Sequence, residues 1–541
     1  MPAAMESQAR HRREALPRTA SSEGKQPPAL TTLPSDCSTS FYASQIGGLS
    51  VINYSYTDLP GKLMVQDVYQ FFRLAWALPY IVWPTTPTDS GSMTELAPTS
   101  GNLWCIAVHG VLIVLQLGFI LGVLPAVFLM SVWAATAIVG LCLSLNHVLC
   151  MLLNGRGIEY HSSPECAPVL REHAQEQWIF INGVAVGKHW MQSNLDRLAL
   201  TFKRPILGVH NKTSGIIFDV IECLIQRNCA YATKDVRRAY AIIKEKLYRP
   251  DISKVVLILH SQGGIEGGLV LDWLLQEVPQ DLLVKLEVYT FGNAANHFNN
   301  PHHTMDAQER EQRIVEPASS IAGQQVLGQE LLDKQRAGVR KAKLVVETTS
   351  SQPAVLTERA IGHIEHYAHT SDFVALWGVL HFVSMVPESN TLPRFIGRVF
   401  ARTSPRGGHQ LVQHYLDGMF PLEKDAETGV FLGCAESNEF VESDVEIGKE
   451  GDESADVHEA FEQSWAGTLA EDIHCEMGSG DCRRSTQIVA DVKIHASSPI
   501  LARQASHPRT LKVKDVSRLW QYRNGKSPDD RPRGLVRLAT M

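Results

Sequence analysis

The chain has 541 residues and a net charge of −7, from 50 Lys and Arg against 57 Asp and Glu. This balance excludes the strongly basic composition that is typical of nucleic-acid binding, so we expect no nucleic-acid partner. The ten cysteines include no C-x-x-C pair, which disfavours both a zinc site and a disulfide framework. No P-loop and no G-x-G-x-x-G sequence is present, and we therefore expect no cofactor.

The N-terminal part of the chain divides into two predicted segments. Residues 1–60 are predicted to be a mostly disordered tail that opens with clustered basic residues. Residues 61–100 contain the aromatic-rich stretch KLMVQDVYQFFRLAWALPYIVW at 62–83. This stretch is interpreted either as an interfacial helix followed by a linker or as a plain core helix.

Residues 103–153 contain no Asp, Glu, Lys or Arg. Two membrane crossings need about 20 residues each, so we predict a transmembrane hairpin with helices at 103–124 and 126–153. The sequence GVLPA at 122–126 is predicted to break the helix, because proline disfavours helix in the residue before it.

Two alternatives to a spanning hairpin stay open: a hairpin that enters one leaflet and returns, and a buried helical pair of a soluble core. A spanning hairpin places both flanks on one side of the membrane. The Lys and Arg residues on these flanks favour the cytosol through the positive-inside rule. The sequence therefore predicts an integral membrane protein with a cytosolic domain. It does not indicate the organelle, and the endoplasmic reticulum and other endomembranes stay open.

Residues 170–422 alternate between strand and helix patterns, which is typical of a mostly parallel sheet flanked by helices. The fold class is therefore α/β. Five strands are predicted in chain order, within QWIFINGVAVG (177–187), RPILGVHN (204–211), SKVVLILH (253–260), LEVYTF (286–291) and IGHIEHYAHTSDFV (361–374).

Two polar regions interrupt or follow this domain. The segment 302–359 is too long for an ordinary connection, and it is interpreted as an insertion that forms a mobile loop or a helical cap. Residues 423–541 are acidic and then basic with no sustained period, so they are predicted to be a disordered tail.

The third predicted strand runs directly into HSQGGIEGG at 260–268. A sharp strand-to-helix turn raises a serine hydroxyl above the carboxyl edge of a sheet, and the helix N-terminus favours developing negative charge. Ser261 is therefore a candidate nucleophile, or else only a polar turn residue. Gly263 and Gly264 leave room for the close approach of strand and helix. The usual elbow is G-x-S-x-G, and Leu259 stands where its first glycine is expected.

With this elbow and strand order, the segment 178–422 resembles the α/β-hydrolase superfamily, and most closely its lipase-like serine hydrolases. These include uncharacterised membrane-bound fungal proteins with an LHSQGG elbow. The resemblance implies an α/β-hydrolase fold and the chain order nucleophile, acid, histidine. Asp372 is then the acid, although an aspartate that caps a turn or helix is the alternative. His409, on a Gly-Gly loop, is the implied base, with His414 as the alternative.

The resemblance also implies an oxyanion hole. Its two donors would be the N–H groups of Gln262, directly after the nucleophile, and of Val184, in the loop after the first predicted strand. Asn182 stands where the related hydrolases carry a histidine. Gly183 has the alternative explanation that it only permits a tight turn.

His363, His366 and His369 form an H-x-x-H-x-x-H pattern that could suggest a metal site. Residues three apart on a strand face opposite sides of the sheet, so these side chains are not expected to converge. We therefore expect no metal site.

The sequence as a whole predicts a membrane-anchored serine esterase or lipase-like hydrolase. Its partners would be the lipid bilayer and an acyl-ester or lipid substrate, and no protein partner is indicated. One alternative is an acyltransferase of the same fold, and another is a catalytically silent hydrolase fold that serves as a membrane adaptor.

Overall fold

The computed structural model describes residues 37–42, 59–168, 170–301, 359–384, 395–447 and 512–528. The strands in chain order are β1 (Ser38–Tyr42), β2 (Glu159–His161), β3 (Glu176–Ile181), β4 (Ile206–Val209), β5 (Lys254–His260), β6 (Leu286–Phe291), β7 (His363–His369), β8 (Arg398–Thr403), β9 (Leu422–Lys424), β10 (Phe431–Cys434) and β11 (Val445–Ile447).

The helices are α1 (Pro60–Arg73), α2 (Ser100–Leu129), α3 (Val132–Asn154), α4 (Lys188–Phe202), α5 (Ile216–Cys229), α6 (Lys234–Tyr248), α7 (Gln262–Glu277), α8 (Gln280–Leu283), α9 (Phe373–Trp377), α10 (Val379–Ser384), α11 (Asp417–Met419), α12 (Glu439–Glu442), α13 (Val513–Val516) and α14 (Arg518–Gln521). Short 3₁₀ helices cover Ala75–Ile81, Gly91–Met93, Arg171–His173 and Arg523–Gly525, and a π-helix covers Leu411–Leu416.

In the described residues, nine strands form one mostly parallel sheet in the order β11-β1-β8-β7-β6-β5-β3-β4-β2. The run from β8 to β4 is parallel throughout, whereas β2 and β1 pair antiparallel with β4 and β8. The five predicted strands are β3 to β7, and all five are confirmed, with β6 at its predicted residues. The sheet's carboxyl edge therefore carries the loops after β3, β5, β7 and β8.

Apolar side chains cover both faces of the sheet, because successive residues of a strand point to opposite sides. In β3, Ile179 and Ile181 belong to the core under α5, α6 and α7, whereas Trp178 and Phe180 belong to the core under α4. This burial on both faces explains the continuous apolar runs of the central strands. The mixed α/β class with flanking helices is thus confirmed.

The apolar block forms two antiparallel helices, α2 and α3. Helix α2 continues through Pro125 to Leu129, so the prediction of a break at 122–126 is wrong. Proline removes one N–H donor but is tolerated within apolar helices of this kind. The turn falls instead at Met130 and Ser131, where the Ser131 hydroxyl accepts a hydrogen bond from the Ala134 N–H (3.4 Å) and caps α3.

Both helices are long and apolar enough to cross a membrane. Most of their large apolar side chains are exposed, including Leu121 (75%), Leu129 (84%) and Trp133 (86%). Such exposure disfavours the alternative of a buried helical pair in a soluble core.

Helix α1 confirms that the segment 61–100 begins with a helix, and this helix is amphipathic. Leu63 and Asp67 are buried on one side, whereas Val65 (70%) and Phe72 (71%) are exposed on the other. A location in the membrane interface stays a prediction. The rest of this segment is no free linker, because it packs on the edge of the sheet that carries the candidate site.

Two boundaries of the predicted tails are wrong. Residues 38–42, predicted to belong to a disordered tail, form β1 between β8 and β11. Residues 423–447 and 512–528 also belong to the fold, because Phe440, Trp520 and Tyr522 complete the core under α4. Apart from Cys37, Leu59 and Pro60, the remainder of both predicted tails lies outside the described residues. The predicted insertion at 302–359 does so as well, apart from its last residue.

Candidate active site

Ser261 occupies a strained turn between β5 and α7. Its φ of 58° and ψ of −121° lie in a region that costs a residue with a side chain about 1–3 kcal/mol. Three backbone hydrogen bonds hold it there. Its N–H donates to the Phe291 carbonyl (3.0 Å), and its own carbonyl accepts from the N–H groups of Gly264 (2.9 Å) and Ala294 (3.2 Å). The sharp turn expected from the sequence is therefore present.

The elbow glycines are required by close packing. A Cβ at Gly263 would lie 2.5 Å from the Ile181 carbonyl oxygen, and a Cβ at Gly264 would overlap the side chain of Asn293. Real Cβ atoms do not approach other atoms so closely. The two positions therefore exclude any side chain as long as α7 follows directly on Ser261.

Leu259 is accommodated by a glycine in the helix that follows the turn. Its buried side chain packs against α7 where Gly267 leaves room, and a Cβ at Gly267 would overlap the Leu259 Cδ1 atom. In the G-x-S-x-G pattern, a glycine at the end of the strand leaves room between strand and helix. In this chain, Gly267 of α7 leaves that room instead. Leu259 is compatible with the elbow for this reason.

The predicted nucleophile, base and acid form one hydrogen-bonded chain. His409 Nε2 lies 3.0 Å from Ser261 Oγ, and His409 Nδ1 lies 3.0 Å from Asp372 Oδ2. A single tautomer satisfies both contacts, with Nδ1–H donating to the carboxylate and Nε2 accepting from the hydroxyl. All three residues are buried, and Ser261 is only 3% exposed.

Asp372 makes the contacts of both roles that its sequence position allowed, that of a helix cap and that of a partner of the histidine. Its Oδ1 caps α9 by accepting the Val374 N–H (2.8 Å), while Oδ2 accepts from His409 and from the Tyr415 hydroxyl (2.6 Å). Burial alone would raise the pKa of Asp372, but the His409 imidazole, the Tyr415 hydroxyl and the Val374 N–H lower it below its ordinary value. The carboxylate is therefore ionised and able to stabilise an imidazolium. Sequence reasoning missed Tyr415.

The backbone of His409 is fixed from two sides. Its N–H donates to the Tyr80 carbonyl (3.1 Å), and its carbonyl accepts from His260 Nε2–H (2.9 Å). The ring of His260 also stacks on that of His409, with centroids 4.9 Å apart. Burial lowers the pKa of His260 to about 3, so His260 is neutral. The only indication of His260 in the sequence was its position directly before Ser261 in HSQGG.

His414, the alternative base, is held away from this chemistry. Its Nε2–H donates to the Pro84 carbonyl (2.9 Å), and its Nδ1 accepts from the Gln410 N–H (2.9 Å). Both ring nitrogens are therefore engaged in holding the loop. Burial lowers the pKa of His414 to about 4. The geometry favours His409 over His414.

The residues after His409 form a π-helix, a rare form that is often found at functional sites. Its first free amides, those of Val412 and Gln413, donate to the carboxylate of Glu95 at 2.9 and 3.1 Å. Burial raises the pKa of Glu95 to about 7. The segment before the apolar hairpin therefore caps the helix that carries Tyr415.

The two predicted oxyanion donors are the N–H groups of Gln262, directly after Ser261, and of Val184, in the loop after β3. Among the described residues, no acceptor is assigned to the N–H of Gln262 or to that of Val184. A Cβ at Gly183 would overlap the Cβ of Ser261, so Gly183 is needed for more than a tight turn. These contacts bring the loop after β3 against the nucleophile, and the role of the two N–H groups stays a prediction.

The apolar hairpin holds this loop. His109 of α2 donates from Nε2–H to the Ala185 carbonyl (2.9 Å), and the Ala185 N–H donates to buried Asp219 (3.0 Å). Ala185 itself has a φ of 66°, which a non-glycine residue adopts only when its surroundings hold it. The backbone next to Val184 is thus fixed partly by a side chain of the predicted membrane segment.

The three histidines of β7 have separate partners. His363 Nε2–H donates to Glu365 (2.9 Å), His366 contacts the Thr290 hydroxyl (2.8 Å), and His369 Nε2–H donates to the His414 carbonyl (3.3 Å). In the described part of the chain, no group of His, Cys, Asp and Glu is arranged to hold a metal ion.

Comparison with protein-family models, with curated proteins and with solved structures finds no match to this chain. The interpretation of the site therefore depends on the geometry of its own residues.

Proposed function

We propose that this protein is a membrane-anchored serine hydrolase with an α/β-hydrolase fold, acting on an acyl ester. The observation that carries the proposal is the hydrogen-bonded chain from Ser261 through His409 to Asp372. Its members follow β5, β8 and β7, three strands of one parallel run. A strained serine, a histidine in hydrogen-bond reach of it and an ionised aspartate are together the components of acyl transfer.

In this mechanism His409 Nε2 takes the proton of Ser261 as Oγ attacks the ester carbonyl. Asp372 stabilises the imidazolium and keeps its Nδ1–H oriented. The oxyanion would accept hydrogen bonds from the N–H groups of Gln262 and Val184, and His409 then returns its proton to the departing alcohol. Water activated by the same histidine would release the acyl group from Ser261.

The substrate class follows from the surroundings of the site. The segment between α1 and α2 contacts the loop that carries His409. Helix α2 contacts the loop after β3 that carries Val184, which we call the oxyanion loop. Both elements carry exposed apolar side chains. A site between two such elements suits an ester that partitions into a bilayer, and we propose a lipid ester as the substrate.

One observation also favours an acyltransferase. Ser261 is 3% exposed and His409 is 7% exposed, so bulk water has little access to an acyl-enzyme. Such a site would protect the intermediate until an alcohol acceptor enters. Product analysis with and without a long-chain alcohol distinguishes ester exchange from hydrolysis.

The test of the proposal is covalent labelling of the full chain in membranes with a fluorophosphonate probe. We expect Ser261→Ala to abolish labelling, and Ser253→Ala, an exposed serine before β5, to label like the native chain. His409→Ala should slow labelling by about 10³-fold or more, whereas His414→Ala should retain most of it. Absence of Ser261-dependent labelling would favour the catalytically silent adaptor.

A further inference from the structure

The contacts between the apolar hairpin and the α/β domain end at one level along the two helices. Asn102, His109 and Gln116 lie seven residues apart on α2, so they share one face, and all three are buried against the domain. Gln116 Nε2–H (2.7 Å) and the Asn146 Nδ2–H of α3 (3.0 Å) both donate to the Ser214 carbonyl. Within the described residues, no hydrogen bond joins the hairpin to the domain beyond this level.

One aromatic contact continues slightly further. The rings of Phe119 and Phe218 are 5.9 Å apart, which is less than one helical turn past Gln116. Among the residues that the structure describes, the rest of the hairpin has no hydrogen bond to the domain. These two free arms are therefore available to enter a membrane deeply.

The polar loop before α5 limits how deep the domain can lie. Thr213 exchanges two hydrogen bonds with Asn154, and the neighbouring Lys212 donates to the carbonyl of exposed Arg156. Cationic side chains and irregular backbone do not enter the lipid-exposed hydrocarbon region. The hydrocarbon boundary consequently lies near Gln116 and Asn146.

Beyond that boundary the arms are too short to span a bilayer. Leu117–Leu129 and Val132–Leu145 each extend about 20 Å at a rise of 1.5 Å per residue. The hydrocarbon core of a typical bilayer is about 30 Å thick. The tip of the hairpin would therefore end inside the membrane.

The composition of the tip agrees with this depth. Phe128 (81%), Leu129 (84%), Val132 (79%) and Trp133 (86%) are all exposed, and the turn between the helices carries no charge. A spanning hairpin would place these side chains in the headgroups or water of the far side. In hydrocarbon they would be solvated by acyl chains instead.

We propose that the hairpin enters the bilayer and returns without crossing it, so that the protein is held on a single side of the bilayer by the acyl chains around the two arms. The partner is a lipid surface, and the tip lies inside the hydrocarbon core, about 5 Å past the bilayer midplane. This proposal does not depend on the catalytic function, because its argument uses only hairpin contacts and lengths.

The test is the accessibility of the tip in full-length protein reconstituted into vesicles. A Ser131→Cys variant is treated with a membrane-impermeant maleimide on both sides of the bilayer, introduced by freezing and thawing. Glu245→Cys, on the exposed side of α6, is the matched control, and peptide mass spectrometry separates both positions from the native cysteines. We expect Ser131→Cys to label at least tenfold less than Glu245→Cys until detergent is added.

A second variant, Trp133→Cys, guards against a local effect of removing the Ser131 cap and should behave in the same way. Labelling of either tip cysteine to the level of the control without detergent would overturn the proposal, because the tip would then reach water. A fluorophore at the same position should be quenched more by nitroxide at mid-chain than at the headgroup. The reverse order would also overturn it.

Discussion

The packing of Leu259 on Gly267 allows the elbow to be tested by a double-mutant cycle. Leu259→Ala removes a fully buried side chain, and such changes cost about 2–5 kcal/mol of unfolding free energy. Gly267→Ala places a Cβ onto the Leu259 side chain, which costs about 1–3 kcal/mol in strain and recovers about 1 kcal/mol of helix propensity. In the double variant the new methyl group enters the space that Leu259 vacates.

We therefore expect the double variant to be more stable than the sum of the single effects predicts, by about 1–3 kcal/mol. The assay is urea unfolding of the full chain in detergent micelles, followed by tryptophan fluorescence, with fluorophosphonate labelling as a measure of Ser261 geometry. Additivity within about 0.5 kcal/mol would refute the reasoning. It would also be refuted if Leu259→Gly, which restores the usual elbow pattern, stabilised the protein.

Three further changes test the surroundings of the site. Tyr415→Phe removes a hydrogen bond to ionised Asp372 that is worth about 1.5–3 kcal/mol. The Tyr415 hydroxyl lowers the pKa of Asp372, so its removal should raise that pKa. The labelling rate should then fall about tenfold, and its decline at low pH should begin at a higher pH than in the native chain. An unchanged rate and pH profile would contradict this role. His109→Leu removes the donor to the Ala185 carbonyl and should slow labelling about fivefold. The variant should stay in the membrane fraction, and a labelling rate equal to that of the native chain would disprove the role of His109. The double variant Val65→Glu, Phe72→Glu should lower turnover of a vesicle-borne ester at least tenfold, because both exposed side chains of α1 would lose their contact with lipid. An equal effect on a water-soluble short-chain ester would show that the interfacial role of α1 is wrong.

The central strands and the candidate nucleophile could be predicted because their signals are local. A run such as KVVLILH indicates a strand buried on both faces, and Ser261 directly follows it. Asp372 and His409 were placed by the chain order that the resemblance to α/β-hydrolases implies. The strands and Ser261 needed only neighbouring residues, whereas the acid and the base needed that resemblance.

The elements that the sequence did not indicate depend on distant contacts. Strand β8 has the sequence RVFART, and its two arginines hide the apolar pattern of a buried strand. Arg402 is nevertheless buried, because its guanidinium donates to the Gly418 carbonyl. The 512–528 segment was predicted to be disordered because it has no sustained period, yet Trp520 and Tyr522 fill a gap in the core. The hairpin turn was predicted at Pro125, and this prediction is wrong because helix α2 continues through that proline.

The same long-range contacts change which part of the chain makes up the site. The base is tied to the Tyr80 carbonyl, the π-helix to Glu95, and the oxyanion loop to His109. All three partners precede residue 170, where the sequence placed the start of the domain. A fragment of residues 170–422 would keep Ser261, His409 and Asp372 but lose the acceptors and donors that fix their loops. The candidate site therefore depends on the segments that precede the first parallel strand as much as on the sheet.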